Sequence, residues 1–478
     1  AAAALVELGM AMHGLGDHGV VLGASMGGLC AAAVLAQTFQ QVTVVDRDVL
    51  PEVGAVRRGV PQGRHAHALL PRGAQIIEEL FPGILSELAA SGVPVLHDMA
   101  EFYFCTGGHL LCSADHPLSP FAMYQPSRAH LEHSVRTRLR ALPNVEIIPS
   151  CEAVGLTTND GHRRVTGVRL LRNGGIEDSI EADLVVDATG RSGRARTWLS
   201  ELGYQPPPEE QVPIDIKYVS RHLRVAPAAL GRVKMVIIGA VPARPTTLFL
   251  LAEEDDRWTL TLGGYGGHHP PTDPRGFLQF AQEIAPPHIF AAIRDAELLD
   301  ELVPHRFPAN LRRRYERMSQ FPAGLLVFGD ALCSFNPVYG QGMTVATLQA
   351  YALRNCLAEG DTDLARRFFR AAARSIDTPW QLVLGGDLAL PQVSGQLPLA
   401  ARLANAYLDR LFAAARDDSA LVEQFARVSW LVDPPRKLLR PSIVRRVLAG
   451  SRRRRTAPLT GTQPADRDPI PPSPAKPI

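Results

Sequence analysis

Residues Val20 to Asp46 read VVLGASMGGLCAAAVLAQTFQQVTVVD, a short apolar run, a glycine turn, an Ala/Leu-rich segment and a second apolar run that ends in an acid. The order spells strand, helix, strand. Gly23, Ser25 and Gly28 stand at G-x-G-x-x-G spacing, with a serine at the middle glycine. A tight turn built from Gly23, Gly27 and Gly28 brings backbone N–H groups and a helix N-terminus against a pyrophosphate. Asp46 falls where a carboxylate at the end of the second strand accepts from ribose hydroxyls. The stretch therefore predicts a dinucleotide-binding βαβ unit whose backbone approaches the phosphates past the Ser25 hydroxymethyl group. A βαβ unit that bound nothing would share the periodicity but would have no use for the terminal acid.

Working outward, 478 residues exceed one ordinary core, and a 46% hydrophobic content can fill two or more. Fifty Lys and Arg against 48 Asp and Glu leave a formal charge of +2, which creates no field for nucleic acid. Cys30, Cys105, Cys112, Cys151, Cys333 and Cys356 are scattered without a C-x-x-C pair and read as reduced thiols of a cytoplasmic protein. Residues 1–17 lack the basic and apolar regions of a secretory signal and read as an extension. No run is long enough for a transmembrane segment.

After Asp46 comes a long Pro/Gly/Arg loop and then a helix with Ile76, Ile77, Leu80 and Phe81 at helical spacing. Arg57, Arg58 and Arg64 in that loop, and Arg47 at its start, either reach phosphates or a ring edge or form a solvated basic loop. His65 and His67 alternate as on an extended segment with no third ligand nearby, so packing or hydrogen bonding is expected of them and no metal site is. Short β-like runs follow near 93–123. Ser127 is a candidate N-cap, which puts Arg128 in the first turn of a helix, where a cation is disfavoured unless an anion sits close by. Arg128 is accordingly the phosphate candidate of that helix.

Alternating runs from Val145 to Val186, joined by turns such as Asn173-Gly174-Gly175, lead to an apolar strand and then D-A-T-G-R, Asp187 to Arg191. From 206 to 322 strands and turns dominate, with one helix over GFLQFAQEI. The chain returns to an apolar strand, GLLVFGD, whose Asp330 is followed by P-x-x-G-x-G from Pro337 to Gly342. Gly340 and Gly342 let the backbone approach a flat ring, and the helix opening near Met343 aims its positive end at what they admit. The last third is helical in pattern, and basic residues accumulate from Arg436 to Arg455 before a Pro-rich tail. That cluster is read as a solvated helix end rather than a lipid or phosphate site.

Three signals in order, the first βαβ unit, D-A-T-G-R-S and the Asp330 to Gly342 segment, are together specific. Over roughly Val20 to Ala350 the sequence resembles the FAD-dependent monooxygenases of the p-hydroxybenzoate hydroxylase-like group. The resemblance implies noncovalent FAD, with Asp46 on the adenosine ribose and Arg128 near the pyrophosphate. It implies Asp330 on the ribityl chain, and Pro337 to Gly342, with Met343, running past the isoalloxazine ring. R-x-G-V-P-Q-x-R-H-x-H, Arg57 to His67, and F-N-P-V-Y-G-x-G-M, Phe335 to Met343, make it similar to the polyene epoxidases of polyether antibiotic biosynthesis, of the monensin and lasalocid type. The W-x-W-x-I-P signature of flavin-dependent halogenases is absent: Trp198, Trp258, Trp380 and Trp430 stand apart.

The resemblance implies epoxidation of a linear polyene polyketide, free or carrier-bound, through a C4a-hydroperoxyflavin formed from dioxygen. NAD(P)H is the implied electron source, directly or through a flavin reductase. Such oxygen transfer needs no protein nucleophile or base, and no catalytic residue is assigned. An aromatic-ring hydroxylase of the same fold and a redox-inactive scaffold are the alternatives, the second disfavoured by Asp46, Asp330 and the intact P-x-x-G-x-G. The expected architecture is α/β: extension 1–17, FAD-binding domain 18–205 (holding some substrate-domain strands near 93–123) and 323–355, strand-rich substrate domain 206–322, helical region 356–450 and basic tail 451–478. The many apolar residues of VKMVIIGAV and TTLFLLAEEDDRWTLTLGGY predict a wide apolar cavity beside the ring.

Overall fold

The computed structural model describes residues 15–57, 59–111, 122–172 and 175–456. Arg58, Cys112, the Asn173-Gly174 turn, the first fourteen residues and the tail from 457 lie outside the described residues, as do the expectations placed on them.

The first βαβ unit forms as the sequence predicts: strand His18–Leu22, helix Met26–Leu35, strand Gln41–Val45. It sits at the centre of a parallel sheet in the order 325–327, 184–187, 18–22, 41–45, 145–148. The inner strands are buried on both faces, which is why HGVVL and LVVD read as continuous apolar runs rather than alternations. Helix Met26–Leu35 is buried all round except at Gly27, because it lies between this sheet and helix Gly342–Ala358. A three-stranded antiparallel sheet, 151–158, 165–172 and 176–181, flanks it.

The second domain is a large antiparallel sheet in the order 333–334, 303–313, 209–224, 258–265, 246–252, 235–238, 102–106, 109–110, with 297–298 paired to 209–224. Its strands come from three separate stretches of chain. Phe102–Thr106 joins by a parallel pairing with Met235–Ile238, and Cys333–Ser334 pairs with Leu311 and Arg312. Strands 246–252 and 258–265 are buried on both sides because the sheet is covered on both faces. One face packs under two helices, Pro274–Ile284 and Pro287–Arg294, where the sequence predicts one. The second is short and opens on Pro286-Pro287, a pair that masks its helical periodicity.

Helices Leu364–Asp387, Leu399–Ala415, Ser419–Ser429 and Pro441–Thr456 make up the C-terminal region. Helix Gly342–Ala358 runs through the boundary expected at 355, so the FAD-binding part and the helical region share a rod. Leu411, Phe412, Leu421 and Val428 pack with Phe102, Met235 and Leu251, so these helices close the other face of the substrate sheet. Among the described residues, no helix is long and apolar enough to cross a membrane, and Cys30, Cys105, Cys151, Cys333 and Cys356 are free thiols.

Candidate active site

The glycine turn is set by its own acid. Gly23 adopts φ +100°, and the Ala24 N–H it presents donates to Asp46 Oδ2 at 2.6 Å. A Cβ at Gly28 would overlap the Gly23 carbonyl oxygen, so Gly28 serves the close packing of helix on turn and does not border the cavity. Gly23, Ser25, Asp46 and Arg47 all border it. Ser25 Oγ, at the position of the fingerprint's middle glycine, accepts from Arg128 Nη2 at 2.8 Å. Ser127 caps the helix as predicted, accepting from the His130 N–H, and this fixes Arg128 over the turn.

Arg57 also borders the cavity, but its charge is spoken for. Its Nε donates to Glu132 at 2.6 Å and its Nη1 to Asp48 at 2.9 Å and Asp46 at 3.2 Å, while Nη2 has no partner. Burial opposes the charge, yet Glu132 and Asp46 outweigh it and hold the guanidinium more firmly protonated than usual. Arg57, read as a phosphate or ring-edge ligand or as part of a solvated basic loop, stands buried on the cavity wall as a counter-ion of Asp46, while Arg64 stays exposed and off the cavity.

Opposite the turn, Asp187 accepts from the Thr189 and Ala195 N–H groups and the Thr189 hydroxyl, which folds D-A-T-G-R into a bend that carries Ala188 to Ser192 to the cavity wall. Asp330, just past strand Leu325–Val327, is enclosed by protein yet open to the cavity, and no described residue donates a hydrogen bond to it. Burial raises its pKa against the pull of Arg128 and Arg191. A carboxylate with open lone pairs beside a cavity suits a polyol. Pro337, Gly340, Gly342 and Met343 line the same wall. Gly340 is left-handed at φ +64°, and a Cβ on Gly340 or Gly342 would meet no protein atom within 4 Å. Helix Gly342–Ala358 starts there without a side-chain cap, so its first N–H groups point toward the space those glycines leave. The donor set fits FAD: uncapped helix starts and Arg128 for negative charge, Asp46 and Asp330 for hydroxyls, glycines for a flat ring.

The cavity of about 1790 Å³ continues from these residues between the substrate sheet and the C-terminal helices. There its wall is Phe102, Phe104, Met235, Phe249, Leu251, Leu408, Phe412, Phe425 and Trp430. Nothing in the sequence assigned the last four to the site, since helix-period patterns show which face is apolar but not what it faces. His65 and His67 border it too. His65 Nδ1 meets Ser220 Oγ at 2.7 Å, and His67 Nδ1 donates to the His65 carbonyl at 2.8 Å. Burial, with His305 and His67, drives His65 down to about 3; burial, then Arg128, drives His67 down to about 4. Both make hydrogen bonds, as the sequence suggests. Tyr218, Tyr265 and Tyr339 approach from the sheet and the loop, each held far above its ordinary pKa, first by burial and then by Asp387. Asp387 carries one signal in the sequence, the Gly385-Gly386 pair before an acid inside a helical pattern.

A family profile for an FAD binding domain matches residues 18–367. Protein Rv3254 of Mycobacterium tuberculosis is 39% identical over 432 residues, covering 87% of this chain and 90% of that protein. The 6-methylpretetramide 4-monooxygenase of Streptomyces rimosus is 26% identical over 369 residues, 74% of this chain and 78% of that protein. Among solved structures, a flavoprotein/dehydrogenase from Cytophaga hutchinsonii has the same fold, with a TM-score of 0.65 at 16% identity over 90% of this chain and 96% of that one.

Proposed function

Since this chain belongs to the FAD binding domain family of FAD-dependent monooxygenases, we propose that it transfers one oxygen atom of dioxygen to alkenes of a linear polyene polyketide. The observation that carries this reading is the aromatic and aliphatic wall from Phe102 to Trp430, continuous with the residues that fit FAD. When bound and reduced, FAD would supply the two electrons that activate dioxygen, one oxygen atom of which would go to the alkene while the other leaves as water. The chain's own residues bind and orient. Asp46, Arg128 and Asp330 would hold the cofactor's polar groups, and the start of helix Gly342–Ala358 would favour negative charge placed near it. The apolar wall holds a hydrocarbon chain and excludes water. Oxygen transfer to an isolated alkene removes no proton from the substrate. NAD(P)H supplies the electrons, directly or through a reductase, and the polyene arrives free or on a carrier.

Aromatic hydroxylation is the second reading. Tyr218, Tyr265, Tyr339 and His65 are hydrogen-bonding groups on the same cavity, and one relative is named for the oxygenation of 6-methylpretetramide. Incubation with linear polyenes and with polycyclic phenols, an electron donor and dioxygen, scored by mass spectrometry, separates the two. Oxygen gain on polyenes alone supports epoxidation; gain on phenols alone replaces it with hydroxylation. Purified protein that neither carries nor takes up FAD overturns both.

A further inference from the structure

The Pro337 to Gly342 loop is fastened by a carboxylate that belongs to neither the cofactor nor the substrate sheet. Asp387 ends helix Leu364–Asp387 and is fully buried. Four donors converge on it. Asn310 Nδ2 reaches Oδ2 at 2.7 Å, while Asn336 Nδ2 at 2.9 Å, the Tyr339 hydroxyl at 3.0 Å and the Tyr265 hydroxyl at 3.2 Å reach Oδ1. Asn336, itself fully buried, has its remaining polar groups committed to the same cluster. Its Oδ1 accepts from Tyr218 at 2.5 Å and from the Val338 N–H at 3.2 Å, and its own N–H donates to Asn310 Oδ1 at 2.7 Å. The loop's first residue and its tyrosine are therefore tied through one carboxylate to strands 258–265 and 303–313.

A second observation is independent of these bonds. A Cβ on Gly386 would overlap the Tyr339 hydroxyl, so a glycine, unfavourable inside a helix, stands where Tyr339 must pass to reach Asp387. A buried carboxylate without a cation is costly, and no described Lys, Arg or His hydrogen-bonds to this one. An amide fits it less well, since its NH2 would face donors and the Asn310 and Asn336 amides or the two tyrosine hydroxyls would have to turn to accept.

We propose that Asp387 is a positioning residue: its carboxylate sets the Asn336 to Gln341 loop, and with it Gly340 and Gly342, against the flavin ring. This rests on the FAD reading above. Burial pushes Asp387 up to about 6, so the form that accepts all four bonds prevails at neutral pH.

The test compares full-length wild type with Asp387→Asn and Tyr339→Phe, and with Ile289→Ala as a control that weakens a distant helix of the substrate domain. The readouts are the visible absorption and circular dichroism of bound FAD, its Kd and the melting temperature. Asp387→Asn is expected to alter the flavin bands and weaken FAD about tenfold. Tyr339→Phe is expected to shift them less and in the same direction, and it carries the test where Asp387→Asn does not fold. Ile289→Ala lowers the melting temperature and leaves the bands alone. Flavin bands and Kd that stay at wild-type values in the variants, while the melting temperature falls as in the control, overturn the inference and leave the FAD reading intact. Wild type that binds no FAD overturns both.

Discussion

Gly28 and Gly342 lack a side chain for opposite reasons. A Cβ at Gly28 would run into the Gly23 carbonyl, whereas one at Gly342 would meet no protein atom within 4 Å. Gly28→Ala is therefore expected to destabilise the apoprotein by more than the roughly 1 to 3 kcal/mol of ordinary overpacking, because the obstacle is backbone that cannot move aside. Gly342→Ala is expected to leave apoprotein melting unchanged and to weaken FAD binding, and melting curves with and without FAD check both. Asp330→Ala removes a charged acceptor, so FAD affinity is expected to fall by the roughly 1.5 to 3 kcal/mol of a charged hydrogen bond. Flavin titration of that variant checks it. Asp46 and Asp330 were legible because each is an acid closing an apolar strand. Arg57 was not, because its partner Glu132 lies on a helix far along the chain and only folding brings the two together.

At the scale of elements, legibility followed period. Helix Met26–Leu35 and the strands on either side of it are short, apolar and bounded by glycines, so type and order could be read directly. The helix at 287–294 was lost because two prolines hide its first turn. The C-terminal helices were visible as helices, but which wall of the cavity they build depends on long-range packing that no periodicity encodes. Helix Leu399–Ala415 shows the consequence. Ala400, Ala401, Ala404 and Leu408 border the cavity far from the glycine turn, so a large side chain there subtracts volume from the substrate end alone. Ala404→Trp is expected to lower kcat/KM for long substrates at least about tenfold, the scale of a few displaced methylenes, while FAD affinity stays within about twofold. A chain-length series of substrates beside a flavin titration measures it.

For the whole molecule, the buried histidines make stability depend on acidity. His67 falls from 6.5 to about 4 in the folded protein, so below pH 6.5 the unfolded chain binds a proton that the native state refuses, and stability drops as pH falls toward 4. His67→Gln removes that term. Relative to wild type the variant is expected to gain about 2 kcal/mol between about pH 7 and about pH 5. Urea unfolding at the two pH values decides this, and a constant difference would reject it. Asp387 works in the other direction: its raised pKa stabilises the fold below 3.8, and that contribution is lost as pH rises through about 6.

The order in which the strands are laid down has a consequence on the ribosome. The parallel sheet needs Leu325–Val327 as its edge strand beside Leu184–Asp187, and the substrate sheet needs Phe102–Thr106, Met235–Ile238 and Cys333–Ser334 together. No nascent chain that stops short of Val327 can complete the parallel sheet, and none that stops short of Ser334 can complete the substrate sheet, so the dinucleotide fingerprint emerges well before the strands it must fold with. Contacts of such separation fold slowly and leave apolar edges exposed meanwhile. Ribosome-stalled chains ending near residue 300 are expected to be protease-sensitive and to bind holdase chaperones, and resistance is expected only once the helix after the flavin loop has cleared the exit tunnel.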